Sequence, residues 1–252
     1  MFKLEPLPLV ARVAAGSQSV RRDVDWLTRE ISVAQYLERV AGRAIRPTKL
    51  LFPGPHLHGG YQLNFWEYVR IEPRPVTPVE LGKELRTLHI LLEKCPAVLP
   101  EMGVLNEVWR IWESSEFWGR LSTPQKEIVS RRSDSVRNAL AKLQIETRPL
   151  HGDAHHGNLW PTADGLIWGD FEDAHSGPIE WDIACMTASS HVFACGRAAA
   201  AALKAYAARI DSDLFDVLIE GRTLQAIAWS LVALPGLETN TRFLRRLKWL
   251  DR

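Results

Sequence analysis

The chain has 252 residues, 46% of them hydrophobic, which is enough for a packed core and argues against a disordered segment. Its 31 basic and 30 acidic residues leave a formal net charge of +1, so nothing global recruits nucleic acid or a membrane surface. Cys95, Cys185 and Cys195 are too few and too widely spaced for a disulfide framework or a CxxC metal site, and they fit a reducing, cytoplasmic setting.

The residues from Met1 to Ala15 show no charged, then apolar, then small-residue pattern, so no secretory signal is expected. Leu7–Val13 (LPLVARV) is apolar and β-branched enough for a strand, ended by the polar stretch Gly16–Asp23. From Asp25 to Val40, Leu27, Ile31, Ala34 and Leu37 recur at helical spacing. Lys49–Phe52 and Tyr61–Val69 read as strands separated by the turn-rich PGPHLHGG. Thr77-Pro78-Val79-Glu80 combines an N-cap, a first-turn proline and a capping-box glutamate, opening a helix to about Leu92. Helical patterns continue over Val104–Arg120 and from Thr123 to about Leu143, with three more between Asp182 and Leu250. Within that last region the Ala-rich stretch Ile183–Ala208 reads as a helix; His191, Arg197 and Lys204 interrupt it too early for a membrane span. One β-like island, Arg148–Phe171, contains a hairpin whose loop is Pro161–Gly165. Pro73–Pro75 suggests a hinge between a β-rich unit, residues 1–70, and a helical unit, residues 71–252.

The chemistry concentrates in His151-Gly-Asp153-Ala-His-His-Gly-Asn158. It has the H-x-D-x-x-x-x-N spacing of a kinase catalytic loop, where Asp accepts the proton of the substrate hydroxyl and Asn holds Mg²⁺. A loop that turns back within five residues can aim a carboxylate at a nucleophile and an amide oxygen at a metal from one rigid piece of backbone. Across the hairpin, Gly169-Asp170-Phe171-Glu172-Asp173 supplies a second hard oxygen ligand, Asp170.

HGDAHHGN followed by IWGDFEDAHSGPIEWDIA resembles the aminoglycoside phosphotransferase and choline kinase-like family. The resemblance implies an α+β, two-lobed protein-kinase-like fold and transfer of the ATP γ-phosphate to a hydroxyl of a small molecule. It makes Asp153 the catalytic base within a loop opened by His151, Asn158 and Asp170 the Mg²⁺ ligands, and Asp182 a brace for the loop. Upstream and less sharply, VARVA and TREISVAQYL resemble the strand and helix whose cation and carboxylate pair, which fall on Arg12 and Glu30. NFWEYV resembles the hinge that meets adenine, with Trp66, Glu67, Tyr68 and Val69 at the crossing. His89 reads as a packed helical histidine.

Asp-Phe-Glu replaces the D-F-G of protein kinases and no A-P-E follows, which favours a small-molecule acceptor of aminoglycoside, choline or sugar type over a protein. Glu107, Glu113, Glu116 and Glu220 are candidates for attracting a cationic acceptor. Only eight residues precede LVARV, so the small lobe is expected to be truncated, with one strand, Phe2–Leu4, and no glycine-rich phosphate loop. The exposed edge of that strand is a route to homo-oligomers. Two other readings stay open: a catalytically weak nucleotide-binding regulatory module, and a dinuclear metallophosphatase, whose GDxHG and GNH elements GDAHHGN resembles.

Overall fold

A computed structural model describes residues 1–14, 16, 19–21, 25–193 and 196–252. Six residues of the segment following the LVARV strand (Ala15, Ser17, Gln18, Arg22, Asp23 and Val24) and two of the Ala-rich stretch (Ala194 and Cys195) lie outside the described residues.

The small lobe is an antiparallel sheet of order β1-β2-β4-β3 with one helix packed on it. β1 (Phe2–Lys3) forms where a short strand is expected and lies at one edge; β2 (Leu9–Val13) pairs β4 (Tyr61–Glu67) along its whole length. In β4 the alternate residues Gln62, Asn64 and Trp66 are buried, the period-2 pattern of a strand with one covered face. α1 (Asp25–Ala41) covers it with Leu27, Ile31, Ala34 and Leu37, as the helical spacing anticipates.

The strand expected over Lys49–Phe52 does not form. Thr48 N–H donates to the Phe65 carbonyl at 3.2 Å and Phe65 N–H to the Pro53 carbonyl at 2.8 Å, so the residues between are a side excursion anchored twice on Phe65. Leu50 and Phe52 accordingly stay exposed. The pairing passes to β3 (His56–His58), joined to β4 through Gly59-Gly60 at φ 57° and 81°, the positive values that a two-residue hairpin turn requires.

Residues 68–77 carry no regular element. The capping box then opens α2 (Pro78–Leu92): Thr77 Oγ1 accepts the Glu80 N–H at 3.2 Å and Glu80 Oε2 accepts the Thr77 N–H at 2.8 Å. The helix expected over Val104–Arg120 is interrupted at Ser114, whose extended backbone (ψ 118°) separates α3 (Gly103–Glu113) from α4 (Ser115–Trp118). α5 (Thr123–Leu140) follows. Four helices, rather than three, close the described chain: α6 (Ile179–Phe193), α7 (Gly196–Tyr206), α8 (Ser212–Ala233) and α9 (Thr241–Leu250). The Ala-rich stretch thus divides between α6 and α7.

Four short strands sit between α5 and α6. β5 (Arg148–Leu150) pairs β8 (His175–Gly177), and β6 (Leu159–Thr162) pairs β7 (Gly165–Trp168) in the anticipated hairpin. The lobes are stitched at this hairpin: Ile45 N–H donates to the Trp168 carbonyl at 2.8 Å and Trp168 N–H to the Arg43 carbonyl at 2.9 Å. One buried cluster runs across the seam, from Leu37 and Trp66 to Leu85, Trp168 and Ile183. No helix among the described residues is long and apolar enough to cross a membrane.

Candidate active site

β5 feeds the chain into the loop His151–Asn158, which α6 fixes from beneath. Asp182, fully buried on α6, accepts the backbone N–H of His151 at 2.9 Å and of Gly152 at 2.8 Å. His89 Nε2 of α2 donates to the same carboxylate at 3.0 Å, while His89 Nδ1 accepts from the Tyr206 hydroxyl at 2.7 Å. Asp182 therefore braces the loop, and His89 is the packed histidine anticipated. Gly152 turns the loop at φ 87°, where a Cβ would lie 1.9 Å from the Asp173 carbonyl oxygen, so only glycine fits.

Three groups surround the Asp153 carboxylate. Arg222 Nη2 of α8 donates to Oδ1 in a short contact, His155 Nε2 lies 3.3 Å from Oδ2, and Asn158 Nδ2 donates to Oδ2 at 3.2 Å and to the Asp153 carbonyl at 2.9 Å. Its own N–H donates to His151 Nδ1 at 3.3 Å. Burial pushes this carboxyl up, but Arg222 and then His155 outweigh it and hold it below the ordinary aspartate range. His151, expected beside Asp153 as catalytic, is fully buried, and its Nε2 donates to the Gly169 carbonyl at 3.0 Å. With both ring nitrogens engaged by backbone, it ties the loop to the residue before Asp170 rather than facing the cleft.

The hairpin brings Asp170 back to Asn158: Gly169 N–H donates to the Asn158 carbonyl at 3.0 Å. Asp170 itself is left-handed (φ 65°, ψ 57°), a conformation that non-glycine residues rarely adopt outside turns and functional sites. Arg12 of β2 reaches this point. Its Nη1 donates to Glu30 Oε1 at 2.6 Å and its Nη2 to Asp170 Oδ1 at 2.9 Å and Glu172 Oε2 at 2.5 Å. The expected cation–carboxylate pair of strand and helix is thus present, with Glu30 buried and Arg12 partly so, not a solvated surface pair.

Sequence reasoning missed a second buried arginine. Arg21 grips Glu107 bidentately (2.7 Å for each bond) and donates to Asp173 in a short contact, with Trp26 and Trp229 near its guanidinium. Glu107 is therefore committed to Arg21. Arg222 was missed as well, although a signal existed: Arg222 and Gln225 are long polar side chains three apart in the largely apolar stretch Gly221–Val232 of α8, the pattern of a buried, partnered group.

The linked network holds the carboxylates of Glu30, Glu107, Asp170, Glu172 and Asp173 against the guanidinium groups of Arg12 and Arg21. Burial raises Asp170 and Glu172 above the ordinary carboxylate range against the pull of Arg12. Burial likewise brings Glu30 up to about 7, Arg12 opposing. A site with this surplus of buried acids suits a cation, and Asn158, its amide N–H₂ spent on Asp153, has Oδ1 left to offer one. Among the described residues no cluster of three or more His, Cys, Asp or Glu side chains could hold a metal without other ligands.

The residues expected to meet adenine fall together in the chain but differ in place. Trp66 is buried and lines a cavity of about 20 Å³ with Arg12, Glu30 and Asp170, and its indole N–H has no partner among the described residues. Glu67 and Tyr68 N–H groups are bonded to the Arg46 and Pro8 carbonyls (2.8 Å each). Val69, just beyond β4, is half-buried.

The sequence model of the phosphotransferase enzyme family matches residues 22–218. The chain belongs to this phosphotransferase family. Among solved structures, the amicoumacin kinase hAmiN, in complex with AMP-PNP, Ca²⁺ and Ami, is similar with a TM-score of 0.68 at 17% identity, over 96% of this chain and 81% of its own. Choline kinase LicA from Streptococcus pneumoniae gives 0.67 at 14%, over 99% and 88%. A microcompartment-associated aminopropanol kinase gives 0.70 at 13%, over 98% and 84%. At these identities the likeness establishes the fold of the phosphotransferase family member, a two-lobed kinase-like α+β architecture. None of the curated proteins compared with the chain matches it significantly.

Proposed function

We propose that this phosphotransferase moves the γ-phosphate of ATP to a hydroxyl of a small molecule. The observation that carries the reading is the Asp153, Asn158 and Asp170 constellation, braced by Asp182 and faced by Arg12 across the lobes. Asp153 orients the acceptor hydroxyl and takes its proton; the acceptor oxygen bonds to phosphorus while the bond from phosphorus to the β–γ bridging oxygen breaks, and ADP leaves. A carboxylate held below its ordinary range is a weak base. That suffices where the transition state is loose and the proton leaves late, so that positioning and charge neutralisation dominate.

Asn158 and Asp170 would hold Mg²⁺, which when bound neutralises phosphate oxygens. Arg12, steadied by Glu30, would steady the phosphates, with His151 positioning Asp170 through Gly169. The chain crossing at Trp66, Glu67, Tyr68 and Val69 would meet adenine, dividing the molecule at about residue 70. A cytoplasmic setting is part of the same reading, as is contact between copies along β1.

The test is ADP release with Mg²⁺-ATP over aminoglycosides, macrolides, choline, amino alcohols and sugars, run on the parent and on Asp153→Asn. Acceptor-dependent release that survives the substitution unchanged would sink the reading.

A further inference from the structure

A cavity of about 540 Å³ touches the catalytic loop and is bounded by α2, α6, α7, α8 and α9 and by His155 and His156 of the loop. Its charged lining is of one sign. Arg222, Arg242 and Arg246 contribute to it, and no aspartate or glutamate does among the described residues. Arg222 already has Asp153 as its counter-ion. Arg242 and Arg246 of α9 have no carboxylate at ion-pair distance among the described residues.

The remaining walls are largely small or apolar, among them Met186, Val192 and Ala202. Arg246 is half-buried with the Phe193 ring 5.9 Å from its guanidinium carbon, Arg242 is exposed, and two cations with no carboxylate beside them favour an incoming anion. Arg246 registers this: burial, then Arg222 and Arg242, bring it down to about 10. The four glutamates considered for a cationic acceptor do not line the cavity. Glu107 is held by Arg21, and Glu220 lies 3.4 Å from Arg132.

We propose that the acceptor carries an anionic group, a carboxylate or a phosphate, that docks on Arg242 and Arg246 while its hydroxyl meets Asp153. The assignment rests on the phosphotransferase reading above and reverses the charge expected of an aminoglycoside or choline-type acceptor.

The test is calorimetric titration of the full chain, first with Mg²⁺-AMP-PNP and then, on the nucleotide-saturated protein, with citrate, inorganic phosphate and the cation spermidine. Citrate or phosphate is expected to bind, the stronger of the two identifying the group. Binding should weaken roughly tenfold or more in Arg242→Gln/Arg246→Gln, the loss of charge-assisted hydrogen bonds. Should that double variant not fold, Arg242→Gln alone, at an exposed position, gives the same readout. Anion binding that is absent, or unchanged by the substitutions, overturns the assignment, as does spermidine binding that the substitutions alter. Arg-dependent anion binding without any nucleotide binding would instead sink the phosphotransferase reading and leave the charge of the pocket standing.

Discussion

Arg12 Nη2 lies 2.9 Å from Asp170 Oδ1, so the guanidinium of the small lobe rests on the very carboxylate proposed to bind metal. A metal bound there would compete with the arginine for one oxygen. Asp170→Ala and Asn158→Ala are each expected to raise the Mg²⁺ midpoint for ATP binding by at least the roughly 10- to 100-fold that losing a partner behind a ligand costs. Titrating Mg²⁺ against ATP binding in both variants measures it. Unchanged midpoints in both would put the ligands elsewhere.

Asp153→Asn should leave Mg²⁺-ATP binding within a few-fold of the parent and cut turnover by roughly 10²-fold or more. Arg222→Gln tests the electrostatics of the same carboxylate. Arg222 holds Asp153 low, so removing it lets the folded-state value rise towards or above 3.8. Protonation then occurs at higher pH, and the acid limb of the kcat profile should move upward. A limb that stays put would show that Arg222 does not govern Asp153.

Glu30 titrates with the opposite sign. Its folded value of about 7 exceeds the 4.5 of the free side chain, so between those limits the folded state holds more protons than the unfolded one. This group's contribution to stability is present below about pH 4.5 and is lost as pH rises through about 7. Thermal melts of the nucleotide-free parent and Glu30→Gln across that window should show the parent falling relative to the variant as pH rises. Parallel curves would contradict it.

Two substitutions separate a local signal from a tertiary one. Thr77→Ala removes a capping box and should cost about 1 kcal/mol, with little effect on turnover. Gly152→Ala forces a Cβ onto the Asp173 carbonyl at positive φ and should cost on the order of 3 kcal/mol or prevent folding. Urea unfolding compares them. Equal midpoints would mean that the loop relaxes freely around the added methyl.

Features set by short-range chemistry were legible from sequence. The capping box at Thr77, the hairpin around Ala163-Asp164 and the helix of Asp25 onward each depend on residues within a few positions of one another. The H-x-D-x-x-x-x-N loop belongs with them. What failed depended on distant partners. Lys49–Phe52 has strand composition, yet both flanks bond to Phe65, and that anchoring is invisible in the segment itself. The same holds for charge: Glu107 and Arg21 stand 86 positions apart, so a glutamate on a helical pattern reads as solvated until its partner arrives from another lobe. Arg222 and Asp153, 69 apart, are the same case at the heart of the site.

The two main-chain bonds that stitch Arg43 and Ile45 to Trp168 act as an axle. Lifting the sheet straight off the helices would tear both, whereas swinging it about that line keeps them. The open cleft that Arg12, Glu30, Trp66 and Asp170 help to line, about 20 Å³, has room for little more than one water. A nucleotide arriving by the proposed route would have to part the contacts of Arg12 with Asp170 and Glu172. The rate at which those contacts part would then set a ceiling on how fast nucleotide loads, however quick the transfer that follows.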